Sequence, residues 1–527
     1  MKTWQLFMVH LLTHYLLFLT SSSSQPTNNQ SSNYSADLRV LLSFKSFITS
    51  DPAEALSSWS WDPVRNDTST TTLPDYCKWT AVSCSNRRHP GHVTAIRLHG
   101  LGLAGTICPQ LGNLTHLRAL SISANNFEGE IPGSLGGCAS LRALDLRGNY
   151  LSGSMPASLG LLSKLTFLNV SHNNLIGDIP MSFSNLTALM KLSMRKNQFH
   201  GQIPSWLGNL TSLTHVGLGQ NGFSGHISPA LGKLDNLSTF DIRDNKLEGP
   251  FPPSLFNISS ITYFNIAFNK FSGSLPLDIG FKLPKLKFFI TIVNQFIGPI
   301  PGSLSNASPL EFLVLGGNQH NGLIPRDIGI HGHIRGFLLG YNLLQTTEPS
   351  DWDFLVSLTN CSNLEVLDLE ENNLEGVMPV SIANLSAELN WISLGKNKIT
   401  GTLPAGLGKF KKLTMFILTY SLFTGTLPLD IGLISSLQYL DLSHSRFYGK
   451  IPQSFGNITQ LSSLSLSNNF LDGSIPANLG TLTKLISLDL SANSLWGEIP
   501  QEILTIPSLT VLLNLSNNAL SAPFQHR

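Results

Sequence analysis

An asparagine in the frame LxxLxLxxNxLxGxIP returns at a 24-residue interval through most of this 527-residue chain, and nothing else constrains the fold as strongly. It stands at Asn125, Asn149, Asn173, Asn197, Asn221, Asn245 and Asn269, then at Asn294, Asn318, Asn342, Asn372, Asn397, Asn469, Asn493 and Asn518. Ser421 and Ser445 hold its place in two units, Leu101 marks the phase of an incomplete first one, and six extra residues precede Asn372. The residues three and five before the asparagine are apolar, as in Leu120/Ile122 and Leu464/Leu466, while those beside them vary. That alternation belongs to a short strand with one buried face. One such strand cannot bury its face alone, so successive units must stack into a continuous core. The asparagine amide can bond backbone groups of adjacent units where the chain leaves the strand. The glycine that follows (Gly129, Gly153, Gly177, Gly201) permits a tight bend, and the next proline ends strand pairing because it lacks a donor.

Counted from Leu101 there are about eighteen units, which makes the chain a leucine-rich repeat solenoid. The expected fold class is an α/β right-handed superhelix with a concave parallel β-sheet. The rest of each unit, xSLGNLTxL, is too short for a long helix and predicts a 3₁₀ or brief helical turn on the convex side. With strands about 4.8 Å apart, the array would span roughly 85 Å. The expected division is a signal peptide at 1–24, a flexible linker at 25–35, a cap at 36–91 and repeats over 92–520. An insertion lies at 344–362 and a divergent tail at 521–527.

Lys and Arg number 33 against 32 Asp and Glu, so no global field favours nucleic acid or an anionic membrane. Lys2, an apolar run from Trp4 to Leu19 and Ser21–Ser24 read as a secretory signal peptide. No later segment is apolar for 18 residues, so no transmembrane segment is expected. Fourteen Asn-x-Ser/Thr sequons agree with a secreted, extracellular route to the apoplast. The glycosylation candidates are Asn66, Asn113, Asn185, Asn209, Asn236, Asn257, Asn306, Asn360, Asn384 and Asn457. Seven sequons share one phase, twelve residues before the frame asparagine, which would leave the strand face open. Of the five cysteines, Cys77 and Cys84 sit just before the first repeat as the expected disulfide of an N-terminal cap. Cys138 and Cys361 fall at leucine positions and read as buried small hydrophobes, and Cys108 reads as free.

The cap carries a recognisable pattern: Asp37-Leu38-x-x-Leu41-Leu42-x-Phe44-Lys45, Asp51-Pro52, Leu56-x-Ser58-Trp59 and Cys77-x-Trp79-x-x-Val82-x-Cys84. Cap and LxGxIP repeat together resemble the ectodomain of the plant leucine-rich repeat receptor kinases. Ala81 departs from the glycine usual there. The insertion, with Pro349-Ser350-Asp351-Trp352 and Ser357-Leu358-Thr359-Asn360-Cys361-Ser362, resembles the immune pattern-recognition group of that family. The resemblance implies a peptide or protein ligand, microbial for that group, and a co-receptor; full-length relatives reside in the plasma membrane. After Leu520 the chain reads Ser521-Ala522-Pro523 where Ser-Gly-x-Ile-Pro would continue the repeat. The family's C-terminal cap, membrane span and Ser/Thr kinase are therefore not expected here.

Catalytic signatures are missing. Gly100–Gly105 and Gly217–Gly222 match GxGxxG by letter, but both lie in repeat phase and open no helix. Kinase, Walker A and HExxH motifs are absent, the histidines lack ligand spacing, and no cofactor or metal is expected. What remains is the concave face, six, four and two residues before the frame asparagine. Its first column carries six aromatics: Phe167, Tyr263, Phe288, Phe312, Trp391 and Tyr439. Read as exposed, such a strip marks a partner site. Tyr263, Phe288, Phe312 and Trp391 form the expected anchor zone, with Arg195 and Arg243 steering acidic groups. Arg147, Lys191, Arg195, Lys196 and Arg243 gather early, and Glu365, Asp368, Glu370 and Glu371 crowd one later repeat. A peptide acidic at one end and basic at the other would complement that face. The expected function is non-catalytic recognition of a peptide or protein in plant defence or cell-surface signalling. The alternatives are a secreted inhibitor of a pathogen cell-wall-degrading enzyme and a receptor remnant that binds nothing.

Overall fold

The computed structural model describes residues 34–60, 74–85 and 90–521. The signal peptide, the linker up to residue 33, Asn66 and tail residues 522–527 lie outside the described residues.

The cap begins with the helix Tyr34–Ser46, which buries Leu38, Leu41 and Phe44 at one face. Its last turn is tied down by Lys45, whose Nζ donates to the carbonyls of Leu56 and Trp59, both at 2.9 Å. Trp59 is fully buried and donates its indole N–H to the Thr80 carbonyl at 2.8 Å. Asp37 joins cap to repeat by accepting the Val93 N–H at 2.9 Å. Cys77 and Cys84 form the expected disulfide, with Cα atoms 5.5 Å apart. Cys108, Cys138 and Cys361 are free and buried.

Among the described residues the concave sheet holds nineteen strands, from Val82–Cys84 to Leu512–Asn514. Val82–Cys84 pairs antiparallel with Val93–Arg97, and the other strands follow one another in parallel at the repeat offset, as in Lys191↔His215↔Thr239. The alternating leucines face inward: Leu120 is 1% exposed and Ile122 is fully buried. Each frame asparagine stitches neighbouring units together. Asn149 accepts the Phe127 N–H through Oδ1 at 3.0 Å and donates through Nδ2 to the carbonyls of Ile122 and Leu146 at 3.1 Å.

The convex side carries the expected 3₁₀ turns, for example Pro109–Asn113 and Ser205–Asn209. Glycine is needed there for space: a Cβ on Gly208 would lie 2.1 Å from the Ala230 carbonyl oxygen of the next turn.

The Ile-Pro step ends strand pairing as expected, but among the described residues a second strand that the repeat frame did not disclose pairs first. Asn126–Glu130, Lys246–Pro250 and their equivalents pair in parallel along the flank, and thirteen such strands form one further sheet from Ser224–Gly225 to Ala519–Ser521. The physical reason is that Gly129, at φ +76°, bends the chain inside the second strand. The isoleucine and proline close that strand only after it has paired.

The insertion leaves the register of the concave sheet unchanged, and only its first residues, in Leu343–Thr346, belong to the flank sheet. Pro349–Trp352 and Asp353–Leu358 make a short helical excursion that buries Trp352, while Gly336–Leu338 and Val366–Asp368 still pair in register.

Candidate functional site: the concave face

The six column aromatics all fall in the concave sheet, but the expectation that they are exposed is wrong. Phe312 is 9% exposed and Trp391 6%, while Phe167, Tyr263, Phe288 and Tyr439 are half-buried. Side chains on a concave surface converge, so large rings on adjacent strands cover one another. The Phe288 and Phe312 rings stack with centroids 5.3 Å apart, Tyr263 and Phe288 lie at 5.5 Å, and the Arg335 guanidinium caps Phe312 at 5.6 Å. Phe312 and Trp391 join Ala267, Ile290, Ile292, Val314, Leu338 and Val366 in a cluster separate from the solenoid core. A partner would therefore meet a packed apolar floor, edged by Tyr263, Phe268, Phe288 and Met415. Val293, 40% exposed, stands on its rim in the left-handed region at φ +55°, where a β-branched residue is strained. Phe167 and Tyr439 lie outside this cluster. Burial and the neighbouring Asp441 push the Tyr439 hydroxyl up to about 12.

The early charges gather as expected. Lys191 and Lys196 are exposed and make no ion pair among the described residues, and Arg147 lies 3.7 Å from Asp145. Arg195 and Arg243 are different: both fold onto Asp241, a carboxylate only 2% exposed. Asp241 carried no signal in the sequence beyond its phase. The glycines two and four residues before Asn221 were the clue that large neighbours lean inward there.

The later acidic repeat does not present the charge expected of it. Arg335 pairs with Glu365 at 2.6 Å. Lys396 pairs with Glu370 at 3.3 Å and with Glu371 at 2.8 Å. Glu370 also accepts hydrogen bonds from Tyr341 at 3.2 Å and Ser393 at 3.0 Å. Asp368 is fully buried, and burial pushes its carboxyl up to about 8. Lys396 serves both Glu370 and Glu371, so the negative field over this repeat is reduced and not cancelled.

The nine described candidate sequons, from Asn113 to Asn457, are all exposed on or beside the convex turns. Asn169, also in a sequon, is 9% exposed in a concave strand and accepts the Ser171 N–H at 3.1 Å. Among the described residues no three His, Cys, Asp or Glu side chains are placed to hold a metal, and no helix is long and apolar enough to cross a membrane.

Comparison with known proteins agrees with this architecture. A leucine-rich repeat region model matches residues 104–315, a leucine rich repeat N-terminal domain model matches 35–85, and single leucine rich repeats match at 363–385, 436–458 and 460–482. The crystal structure of a TDR receptor superposes with a TM-score of 0.69 at 30% identity, over 79% of this chain and 75% of that one. The chain belongs to the plant leucine-rich repeat receptor family. A plant peptide hormone receptor, RGFR1 in complex with RGF2, superposes on this receptor ectodomain with a TM-score of 0.71 at 34% identity, over 79% of this chain and 65% of that one. The Arabidopsis receptor kinase HAESA, in complex with the peptide hormone IDA and the co-receptor SERK1, gives a TM-score of 0.64 at 28% identity, over 92% and 90%. In sequence, the receptor kinase-like protein Xa21 of Oryza sativa subsp. japonica is 55% identical over 67 residues, 13% of this ectodomain and 6% of that protein. The aligned part thus spans a small fraction of the curated relative's length.

Proposed function

We propose that this solenoid is a non-catalytic extracellular recognition module that binds an extended peptide or protein on its concave face, in plant defence or cell-surface signalling. The observation that carries the reading is the face itself. A packed apolar floor with a half-buried aromatic edge shares the face with the exposed Lys191 and Lys196, and the described candidate glycan sites lie on the opposite side. Anchors of that kind commonly dominate binding energy. The structural relatives support a peptide ligand and a co-receptor, since RGFR1 is in complex with RGF2 and HAESA with both the peptide hormone IDA and the co-receptor SERK1. The partly neutralised acidic repeat makes acidic and apolar segments the ligand features this face answers best.

The test uses the secreted glycoprotein against a displayed library of random twelve-residue peptides. Binders are then measured on two alanine sets: Tyr263, Phe288, Met415 and Lys191 on the concave side, and Lys233, Gln453, Asn236 and Asn457 on the convex side. The expected result is loss confined to the concave set, by roughly tenfold or more per anchor. Loss confined to the convex set would overturn the concave reading.

A further inference from the structure

The convex turns share one outward position, two residues after the buried apolar side chain of each turn. Sequon asparagines hold it in many units, as in Leu207-Gly208-Asn209 and Phe455-Gly456-Asn457. In four units a large apolar residue stands there in solvent instead: Leu161 at 69% exposed, Phe281 at 66%, Ile330 at 57% and Leu433 at 55%. Single apolar residues on a surface need no explanation. These follow a rule, because each is succeeded one unit later by a sequon at the same position: Asn185, Asn306, Asn360 and Asn457. Where Gly137, Lys409 and Thr481 hold the position, no sequon follows. Lys233, before Asn257, is the exception among residues that carry no sequon.

The paired turns touch. The glycine before each apolar residue has no room for a side chain: a Cβ on Gly160, Gly280, Gly329 or Gly432 would collide with the carbonyl oxygen of Ser182, Ser303, Ser357 or Ser454 in the next turn. Each of these serines lies three residues before the sequon asparagine and is hydrogen-bonded across the gap. Ser182 and Ser454 donate to the Ala157 and Leu429 carbonyls at 2.6 and 2.8 Å. Ser303 and Ser357 accept the N–H of Gly280 and Gly329 at 3.1 and 3.0 Å. Contact this close sets each sequon asparagine beside the apolar side chain of the unit before. All four asparagines are exposed, so a glycan attaches without disturbing the turn.

The first sugar of an N-glycan is a pyranose whose ring faces present C–H groups and whose N-acetyl group ends in a methyl. Bound to the asparagine Nδ2, it is bulky enough to lie over a neighbouring side chain. Covering a leucine or phenylalanine in this way removes apolar surface from water, while the outward hydroxyls stay solvated. We propose that the inner sugars of glycans at Asn185, Asn306, Asn360 and Asn457 pack on Leu161, Phe281, Ile330 and Leu433 of the preceding unit. The glycans thereby complete the convex surface of the solenoid. Leu277 and Leu429, four residues before Phe281 and Leu433 and 72% and 71% exposed, widen two of the covered patches. The inference rests on the extracellular reading and is independent of what the concave face binds.

The test uses the glycoprotein secreted from plant cells, with an anilinonaphthalene sulfonate dye as the probe of uncovered apolar surface. Leu433 suits it, because its other neighbour at this position is Lys409. Glycopeptide mapping should find Asn457 occupied. Asn457→Gln is expected to raise dye fluorescence on the order of twofold and to lower the monomer fraction on size exclusion. Adding Leu433→Ser should return both to the wild-type values. Asn209→Gln removes a glycan flanked by Asn185 and Lys233 and should change neither. Because glycans also assist folding in the cell, a second arm strips them enzymatically from the folded, secreted protein. Dye fluorescence should then rise in the wild type and much less in a variant carrying Leu161→Ser, Phe281→Ser, Ile330→Ser and Leu433→Ser. An unoccupied Asn457, a rise that Leu433→Ser does not cancel, an equal rise in Asn209→Gln, or no rise on stripping the wild type overturns the proposal. Peptide capture that persists in Asn457→Gln leaves the concave-face reading standing whatever the dye reports.

Discussion

His320 occupies a position that is leucine or phenylalanine in neighbouring units, such as Phe296 and Leu344. It is fully buried, its Nε2 has no partner, and burial holds the imidazole down at about 4. The unfolded chain takes its proton near 6.5, so the folded state loses ground as pH falls from about 6.5 towards 4. His320→Leu is expected to abolish that part of the acid sensitivity, worth at most about 3 kcal/mol, seen as a smaller drop in melting temperature between pH 7 and pH 4.5. Asp368 works in the opposite direction. Its carboxyl, pushed up to about 8, is neutral in the folded state where the unfolded one has ionised above about 4, so its stabilising share fades as pH rises between those values. Asp368→Asn should retain the bond from the Glu370 N–H, now 3.0 Å, and raise the melting temperature at pH 7.5 more than at pH 5. Equal shifts at both pH values would show that ionisation is not the cause.

At the scale of the repeat unit, the ladder of asparagine amides is interrupted twice. Ser421 buries its Oγ without a partner, and Ser445 reaches only the Ser443 carbonyl at 3.4 Å. Neither side chain can supply the donor pair and acceptor that Asn397 supplies in the unit before, through Leu369 and Leu394 at 2.9 and 3.0 Å and the Leu374 N–H at 3.0 Å. Ser421→Asn is expected to raise stability by about 1–3 kcal/mol by restoring those bonds, read as a higher melting temperature or urea midpoint. A neutral or lower value would mean the local backbone has relaxed away from the ladder geometry. The insertion shows how a unit tolerates a defect of the other kind. Lys287–Glu311 at 3.0 Å and Arg335–Glu365 at 2.6 Å run an alternating charge line along the sheet edge, the second bond crossing the insertion itself.

For the molecule as a whole, the two sides of the solenoid differ in which sequons they expose. Sequons Asn113, Asn185, Asn209, Asn236, Asn257, Asn306, Asn360, Asn384 and Asn457 are exposed, and Asn169 is not. Expression in plant cells should therefore give a glycoprotein whose apparent mass falls on endoglycosidase treatment, with glycopeptides at the first nine sites and none at Asn169. Occupancy at Asn169 would show that its strand forms only after glycan transfer, or that the concave face is not laid out as described.

The repeat frame alone determined the solenoid, the concave strands, the 3₁₀ turns and the asparagine ladder, and the place of two cysteines just before the first repeat pointed to the Cys77–Cys84 bond. All of these follow from local periodicity, spacing and backbone chemistry that one unit repeats to the next. The flank sheet escaped it, because whether an extended segment after Gly129 pairs depends on a neighbour at the right distance. Exposure of the aromatic column escaped it for a related reason. Period-two alternation says which face Phe312 and Trp391 occupy, while curvature decides that rings on that face close over each other. Charge was the least legible of all: Lys396 reaches Glu370 from the next unit, and Asp241 draws Arg195 from a unit two away while Arg243 joins from its own. Such pairings depend on side-chain reach between stacked units, and only the tertiary structure sets it.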